Sequence, residues 1–266
     1  MVQKILLLSF LFSALVGCSS TPSSVAKQAQ SASFSAKETV LTQAGDQSKL
    51  ISYYKEHLKQ TEDERVRVKL VEAYLDSDDL DSADFYYQTL SKNSQFSPNG
   101  LYLKAQIEFA KGNMDKTIVA GLEALEAREN YPEVENLLGM AYASQRDINN
   151  AWRYFYLARK HLFDDVTIKN NLAVIDLLLQ DYGLAISRLE PIYQSGNRDA
   201  TIVSNLALAY AKSGDFERFK SLFVSRYTAQ EIEELYIGLR LVSVTPADEL
   251  LASSPTPSTE VKGLTP

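Results

Sequence analysis

A step of 34 residues constrains this chain more than any other feature of it. Moving by that step from Gly139 in either direction gives Val71, Ala105, Ala173 and Ala207, a line of small or modest side chains with no insertion between them. The residues just before them are Leu70, Lys104, Leu138, Leu172 and Leu206, and three positions after them come Tyr74, Glu108, Tyr142, Asp176 and Tyr210. A second line in the same register reads Ala83, Thr117, Ala151, Ala185 and Phe219, preceded three residues earlier by Leu80, Met114, Ile148, Tyr182 and Phe216. Within each copy the apolar positions recur at helical spacing, which predicts two amphipathic helices per unit. The small residues let two helix backbones approach, and the large ones fill the space beside the crossing. Between the helices lie Asp78-Asp79, Gly112-Asn113, Arg146-Asp147, Gln180-Asp181 and Gly214-Asp215, each pairing a left-handed C-cap residue with an N-cap side chain. Such a unit cannot bury its apolar face alone, so the copies must stack.

Period and pattern together resemble the tetratricopeptide repeat, as five tandem copies over residues 64–227. The resemblance implies an all-α fold, a right-handed superhelical solenoid of helix-turn-helix units. The second copy departs from the pattern at Lys104, Glu108 and Thr117, and the fifth at Phe219 and Arg226, as suits an end repeat. Asp176 is a polar residue at a core position. Either its helix is rotated to bring it to solvent or to a polar neighbour, or it has a functional role.

Residues 1–17 have the layout of a bacterial export signal, with Lys4 ahead of the apolar run from Ile5 to Val16. That run is too short for a membrane span. It ends in Leu15-Val16-Gly17-Cys18, which resembles a lipobox, and Cys18 is the only cysteine in the chain, so a disulfide within it is impossible. The resemblance implies lipidation at Cys18. Ser19, where an aspartate would resemble an inner-membrane retention signal, favours the periplasmic face of the outer membrane. A plain signal peptide, or a buried free cysteine, is the alternative. Residues 18–44, rich in Ser, Ala and Gln, are expected to be a flexible tether.

The solenoid is expected over 45–243. It comprises a cap helix at 46–60 with Leu50, Tyr53, Tyr54 and Leu58 on one stripe, the five repeats, and a closing helix at 228–243. Thr228 and Glu231 form a candidate capping box for that last helix, with Ile232, Leu235, Leu239 and Leu241 available to pack. Residues 244–266, with Pro246, Pro255, Pro257 and Pro266, read as a disordered tail, solvated or partner-binding.

Without residues 1–17 the chain keeps 26 basic residues, one fewer than the 27 of the whole chain, against 34 acidic ones. A nucleic-acid partner needs an excess of cations on one face and is not expected. The two histidines, His57 and His161, sit far apart in the repeat array and read as surface residues. No metalloprotease, nucleophile-elbow or phosphate-loop pattern occurs. The run Asp76-Ser77-Asp78-Asp79-Leu80-Asp81 lacks the glycine and distant glutamate of a calcium loop and reads as a solvated turn. Neither catalytic residues, nor a metal, nor a cofactor is expected.

In the tetratricopeptide family the first helix of each repeat lines a groove. Carried over, that places Asn136 and Met140 of the third repeat there, with Asn170, Val174 and Leu177 of the fourth and Leu208 of the fifth. Asn171 and Asn205 take the adjacent position, where the family's peptide clamps use asparagine, an amide able to donate to and accept from a peptide backbone. The alternative is that these asparagines cap or link neighbouring helices. The groove lacks the Lys or Arg of a carboxylate clamp, so an internal or apolar segment is the expected ligand.

Lipobox, tether and repeats in combination resemble the TadD-like lipoproteins of the tight-adherence (Flp) pilus system, and more distantly the PilF or PilW pilotins of type IV pili. That resemblance implies a non-enzymatic adaptor whose partners are a secretin or pilus assembly components. The alternative is an NlpI-like adaptor for peptidoglycan hydrolases or synthases.

Overall fold

A computed structural model describes residues 22–242, which are helices joined by turns, with no strand among the described residues. The residues on which lipidation and the disordered tail depend, Cys18 and 244–266, lie outside them. The chain divides into two compact units, Met1–Tyr53 and Tyr54–Pro266.

The first unit holds α1 (Pro22–Gln43) and the first half of α2 (Gln47–Gln60). Here the expectation of a flexible tether is corrected. The segment carries Ala, Gln, Lys and Glu, all strong helix formers, and after Pro22 it has no Gly or Pro until Gly45, which takes a left-handed φ of 65° and ends it. Phe34 stacks on Tyr53 with ring centroids 5.0 Å apart, and Lys37 lies 4.7 Å above the same ring. A helix rises only about 1.5 Å per residue, so this segment reaches less far than a stretched coil.

Beyond α2, helices follow in the expected register. They are α3 (Glu64–Asp76) with α4 (Leu80–Gln88), the short α5 (Lys92–Gln95), α6 (Pro98–Ala110) with α7 (Met114–Ala127), α8 (Pro132–Ser144) with α9 (Ile148–Lys160), α10 (Asp165–Leu178) with α11 (Tyr182–Gln194), and α12 (Ala200–Ser213) with α13 (Phe216–Phe223). The closing helix is α14 (Ala229–Leu241). No described helix is long and apolar enough to cross a membrane.

The turn inside each repeat is the same object five times. Asp78, Gly112, Arg146, Gln180 and Gly214 all take left-handed φ, between 60° and 83°. The next residue sends its N–H back to the helix it has left: Asp79 to Tyr74 O, Asn113 to Glu108 O, Asp147 to Tyr142 O, Asp181 to Asp176 O and Asp215 to Tyr210 O, at 2.8 to 3.0 Å. This is a Schellman closure, and it satisfies carbonyls that a helix end leaves open. Asp79, Asp147, Asp181 and Asp215 then cap the following helix through their carboxylates. Asn113 does not; its amide turns to Glu108 Oε2 at 2.8 Å.

First helices of successive repeats pack on one another, and each second helix packs between two first helices, except α13, which packs between α12 and the closing α14. The core runs along that seam as overlapping clusters, from Leu101, Leu138 and Tyr154 through Phe155, Ile168 and Leu172 to Leu189, Leu206 and Phe219. At the third crossing a Cβ on Gly139 would stand 2.5 Å from the Phe155 ring, so only glycine fits between those helices. Gln95 is buried, and its amide donates to the carbonyls of Tyr87, Gln88 and Leu90, closing the end of α4. At the far end the capping box forms, Thr228 N donating to Glu231 Oε2 at 2.8 Å. Ile232 and Tyr236 bury against Phe216 and Phe219, whereas Leu235 and Leu241 face outward, which corrects their expected packing. Ile232 and Tyr236 stand four residues apart on one face, and the fifth repeat's aromatic rings select that face.

Candidate protein-interaction face

The first helices α3, α6, α8, α10 and α12 lie side by side, so the side chains they turn away from the second helices form one continuous face. On α8, α10 and α12 this face presents Met140, Val174 and Leu208, all half-buried. Two of them pack an inner side on the core: Met140 on Ala105, Ala120 and Leu137, and Leu208 on the cluster around Leu206 and Phe219. The earlier repeats add the half-buried Val68, Leu75, Tyr102, Gln106 and Phe109. Burial pushes the Tyr102 hydroxyl up to about 12, with Tyr131, Glu133 and Glu72 adding to it, so it stays a neutral donor. Ser144 and Ser204 are exposed, while Ala143 is half-buried and Ala211 fully buried.

Three of the expected groove residues are corrected. Leu177 is 4% exposed and belongs to the core with Ala173 and Leu206. Asn136 and Asn170 are buried as well, at 6% and 9%, and their amides are engaged. Asn171 Nδ2 donates to Asn136 Oδ1 at 2.9 Å, and Asn205 Nδ2 donates to Asn170 Oδ1 at 3.0 Å. Each bond joins neighbouring repeats at a separation of 35 residues. Of the two readings left open for these asparagines, the structure places them as inter-repeat links. Asn171 and Asn205 remain half-buried at the edge of the face, with their own carbonyl oxygens unlinked in these two bonds.

Lys104 lies 4.0 Å from Glu123 on α7, so it turns toward the second helix. Asp176, only 1% exposed, accepts from Arg188 Nε at 2.6 Å. This is the polar-neighbour reading. Burial raises the Asp176 carboxyl, and the guanidinium offsets that only in part. The expectation of surface histidines is also corrected: His161 Nδ1 lies 2.8 Å from both oxygens of Glu135, which is 3% exposed, and His57 lies 3.8 Å from Asp63. Nothing local in the sequence marks Glu135 as buried, because its partner comes from the end of the next helix. Beside α10 and α12 an open hollow of about 290 Å³ is lined by Val166, Thr167, Asn170, Asn197, Asp199, Thr201 and Ile202. No group of three potential metal ligands converges among the described residues.

No family model matches the sequence, and no curated protein does. Among solved structures, the chain is similar to a tetratricopeptide repeat protein from Parabacteroides merdae, at 15% identity over 79% of this chain and 83% of that one, with a TM-score of 0.60. It is similar to a chain of the APC/C hetero-tetramer Cut9-Hcn1, at 17% identity over 77% of this chain and 41% of that one, with a TM-score of 0.60. A third likeness is to pilF of Pseudomonas aeruginosa, at 14% identity over 84% of this chain and 96% of that one, with a TM-score of 0.58. At such identities the likeness speaks for architecture alone, and it agrees with the five-fold turn and the stacked helix pairs: the chain has the all-α fold of a tetratricopeptide-repeat solenoid.

Proposed function

We propose that this chain is a non-enzymatic adaptor, anchored by a lipid on Cys18 to the periplasmic face of the outer membrane, that binds protein partners in assembling a Flp or type IV-like pilus or its secretin. The observation that carries the binding role is the row of Met140, Val174 and Leu208, half-exposed apolar side chains on three successive first helices that the amide links hold in register. Such a row offers burial at repeat-length intervals along an extended or helical segment. The likeness to pilF, over 96% of that chain, supports the pilus part of the reading, and the lipobox-like Leu15-Val16-Gly17-Cys18 supports the anchor.

Two measurements test the parts separately. Cys18→Ala should abolish incorporation of labelled palmitate and displace the chain from the outer-membrane fraction; unchanged fractionation would refute the anchor. Deleting the chain should remove secretin multimers from the membrane. Intact multimers with altered wall cross-linking would instead support the peptidoglycan-enzyme adaptor.

A further inference from the structure

Helix α14 stacks on α12 as each first helix stacks on the one before it, and it meets α13 as well. Ile232 and Tyr236 fill its inner face, and Lys212 Nζ donates to the carbonyls of Arg240 and Val242, which ties its C-terminal end to α12. Earlier first helices have their far side covered by the next helix pair, whereas α14 is the last described helix and has no such cover. Its far side is apolar. Ile237 and Leu241, one turn apart, are 51% and 79% exposed, and a Cβ on Gly238 between them would meet nothing within 4 Å. With Leu235 and Val242 beside them, no other eight-residue stretch of the described chain exposes as many large apolar side chains. The charges along the helix are sorted as well: Glu231, Glu233 and Glu234 precede Ile237, and Arg240 follows it. Glu231 closes the capping box and Glu234 accepts from Gln230. Glu233 and Arg240 have no ion-pair partner among the described residues, although the Arg240 guanidinium lies 5.7 Å from the Tyr236 ring.

We propose that this face of α14 binds the same face of a second copy of the chain, the two helices running antiparallel about a two-fold axis near Ile237. The face is its own complement under that operation, which is what an isologous contact demands. With the axis between Ile237 and Gly238, the Ile237 side chain of each copy meets the bare Gly238 of the other, and Leu241 meets the carbon stem of Glu234. Glu233 and Arg240 stand seven residues apart and so share one flank of the stripe. Each Glu233 then comes level, within about 3 Å along the helix axis, with Arg240 of the other copy. Two such pairs close the contact, and the antiparallel arrangement sets the acidic start of each helix against the basic end of the other. A partner of different sequence has no need of this match between the two halves of one helix. One helix per copy makes a small contact, so the association is weak and concentration-dependent. It uses none of Met140, Val174 and Leu208, and it does not require the lipid on Cys18.

The test is disulfide linkage of the full chain under mild oxidation, with rates taken relative to the unsubstituted chain. Ile237→Cys should give a linked species of twice the chain's mass at least about tenfold faster than Leu235→Cys or Ser144→Cys, which lie off the stripe. In the Ile237→Cys background, Glu233→Arg or Arg240→Glu should slow linkage about fivefold. The two reversals together should restore it, since each copy then again offers opposite charges to the other. This double variant separates lost contact from lost fold, because it cannot repair a helix that the single changes had broken. Equal rates at 237, 235 and 144 would overturn the proposal, as would charge reversals that change nothing or that the double variant fails to repair. So would linkage of Ile237→Cys, in the cell envelope, to a different protein in place of a second copy.

Discussion

Arg188 donates through Nε to the buried carboxylate of Asp176 at 2.6 Å, at the place where two other repeats stack a pair of tyrosines. Tyr74 lies on Tyr86 at 5.3 Å and Tyr142 on Tyr154 at 5.4 Å, each pair twelve residues apart as Asp176 and Arg188 are. One position pair thus joins the two helices of a repeat by ring stacking or by charge. Replacing one charge should leave the other stranded, so Arg188→Ala should cost on the order of 3 kcal/mol. Rebuilding the stack with Asp176→Tyr and Arg188→Tyr together should be neutral or better. Urea unfolding of the single and double variants measures the coupling, and additive losses would show that the two residues act independently.

The same carboxyl sets a pH dependence. Burial holds its folded pKa above the ordinary 3.8, so the folded chain binds that proton more tightly than the unfolded chain does. Its contribution to stability is complete below the unfolded value and is lost as pH rises through the folded one. Asp84, Asp165 and Asp215, held below their ordinary values first by hydrogen bonds from Lys111, Lys169 and the Arg218 backbone, act in the opposite sense. They cancel in a comparison with Asp176→Asn. Wild type minus variant stability should therefore fall as pH is raised from about 4 upward. A flat difference would count against a raised carboxyl.

Glycines of the chain separate by what surrounds them. A methyl on Gly139 would stand 2.5 Å from a Phe155 ring that is 1% exposed and cannot retreat. Gly139→Ala gains helix propensity of about 1 kcal/mol, yet it should lose roughly 1 to 2 kcal/mol net through overpacking. Gly139→Leu and Ala151→Leu should lose more. Gly238, with nothing within 4 Å, provides the control, and Gly238→Ala should raise the melting temperature. Equal effects at positions 139 and 238 would show that the third crossing is looser than drawn.

The amide links predict a stability effect where a ligand clamp would show only a binding effect. Asn171→Ala strips Asn136 Oδ1 of its donor, and Asn205→Ala does the same to Asn170 Oδ1, each at about 1 to 2 kcal/mol because the acceptors are buried. Thermal melts unchanged in both variants would remove the links from the account of the fold.

These cases mark what the sequence could disclose. The five turns were legible because left-handed residues and N-cap aspartates are local and recur at a fixed step. Asp176 stands out as an anomaly at a core position, but that its column meets the column of Tyr86, Tyr154 and Arg188 on the second helix is set by tertiary packing, which the repeat step alone does not state. The Asn136 and Asn170 links hide for a related reason. They join residues 35 apart, one more than the period, so an alignment of repeats places donor and acceptor in different columns. Glu135 with His161 joins the start of one helix to the end of the next, which periodicity does not address. The helix of α1 is hidden by its low apolar content, which reads as absence of structure, although Ala, Gln, Lys, Glu and Leu recur through it.

With the asparagines assigned to the scaffold, the binding face is probed best through its apolar row. Val174 and Leu208 are half-buried on successive first helices, where an aspartate would present a charge to any apolar segment laid along them. Val174→Asp or Leu208→Asp should weaken binding of the candidate secretin or pilus component at least about tenfold, the scale of a real hot spot. Val119→Asp, on the second helix α7 and 54% exposed, should leave binding unchanged. Circular dichroism separates lost binding from lost fold, since each groove variant also places a charge beside the core. Titration of the purified partner decides among the surfaces. Affinity that survives both groove variants but vanishes when residues 244–266 are deleted would move the site to the tail, and affinity lost only with Val119→Asp would move it to the second helices.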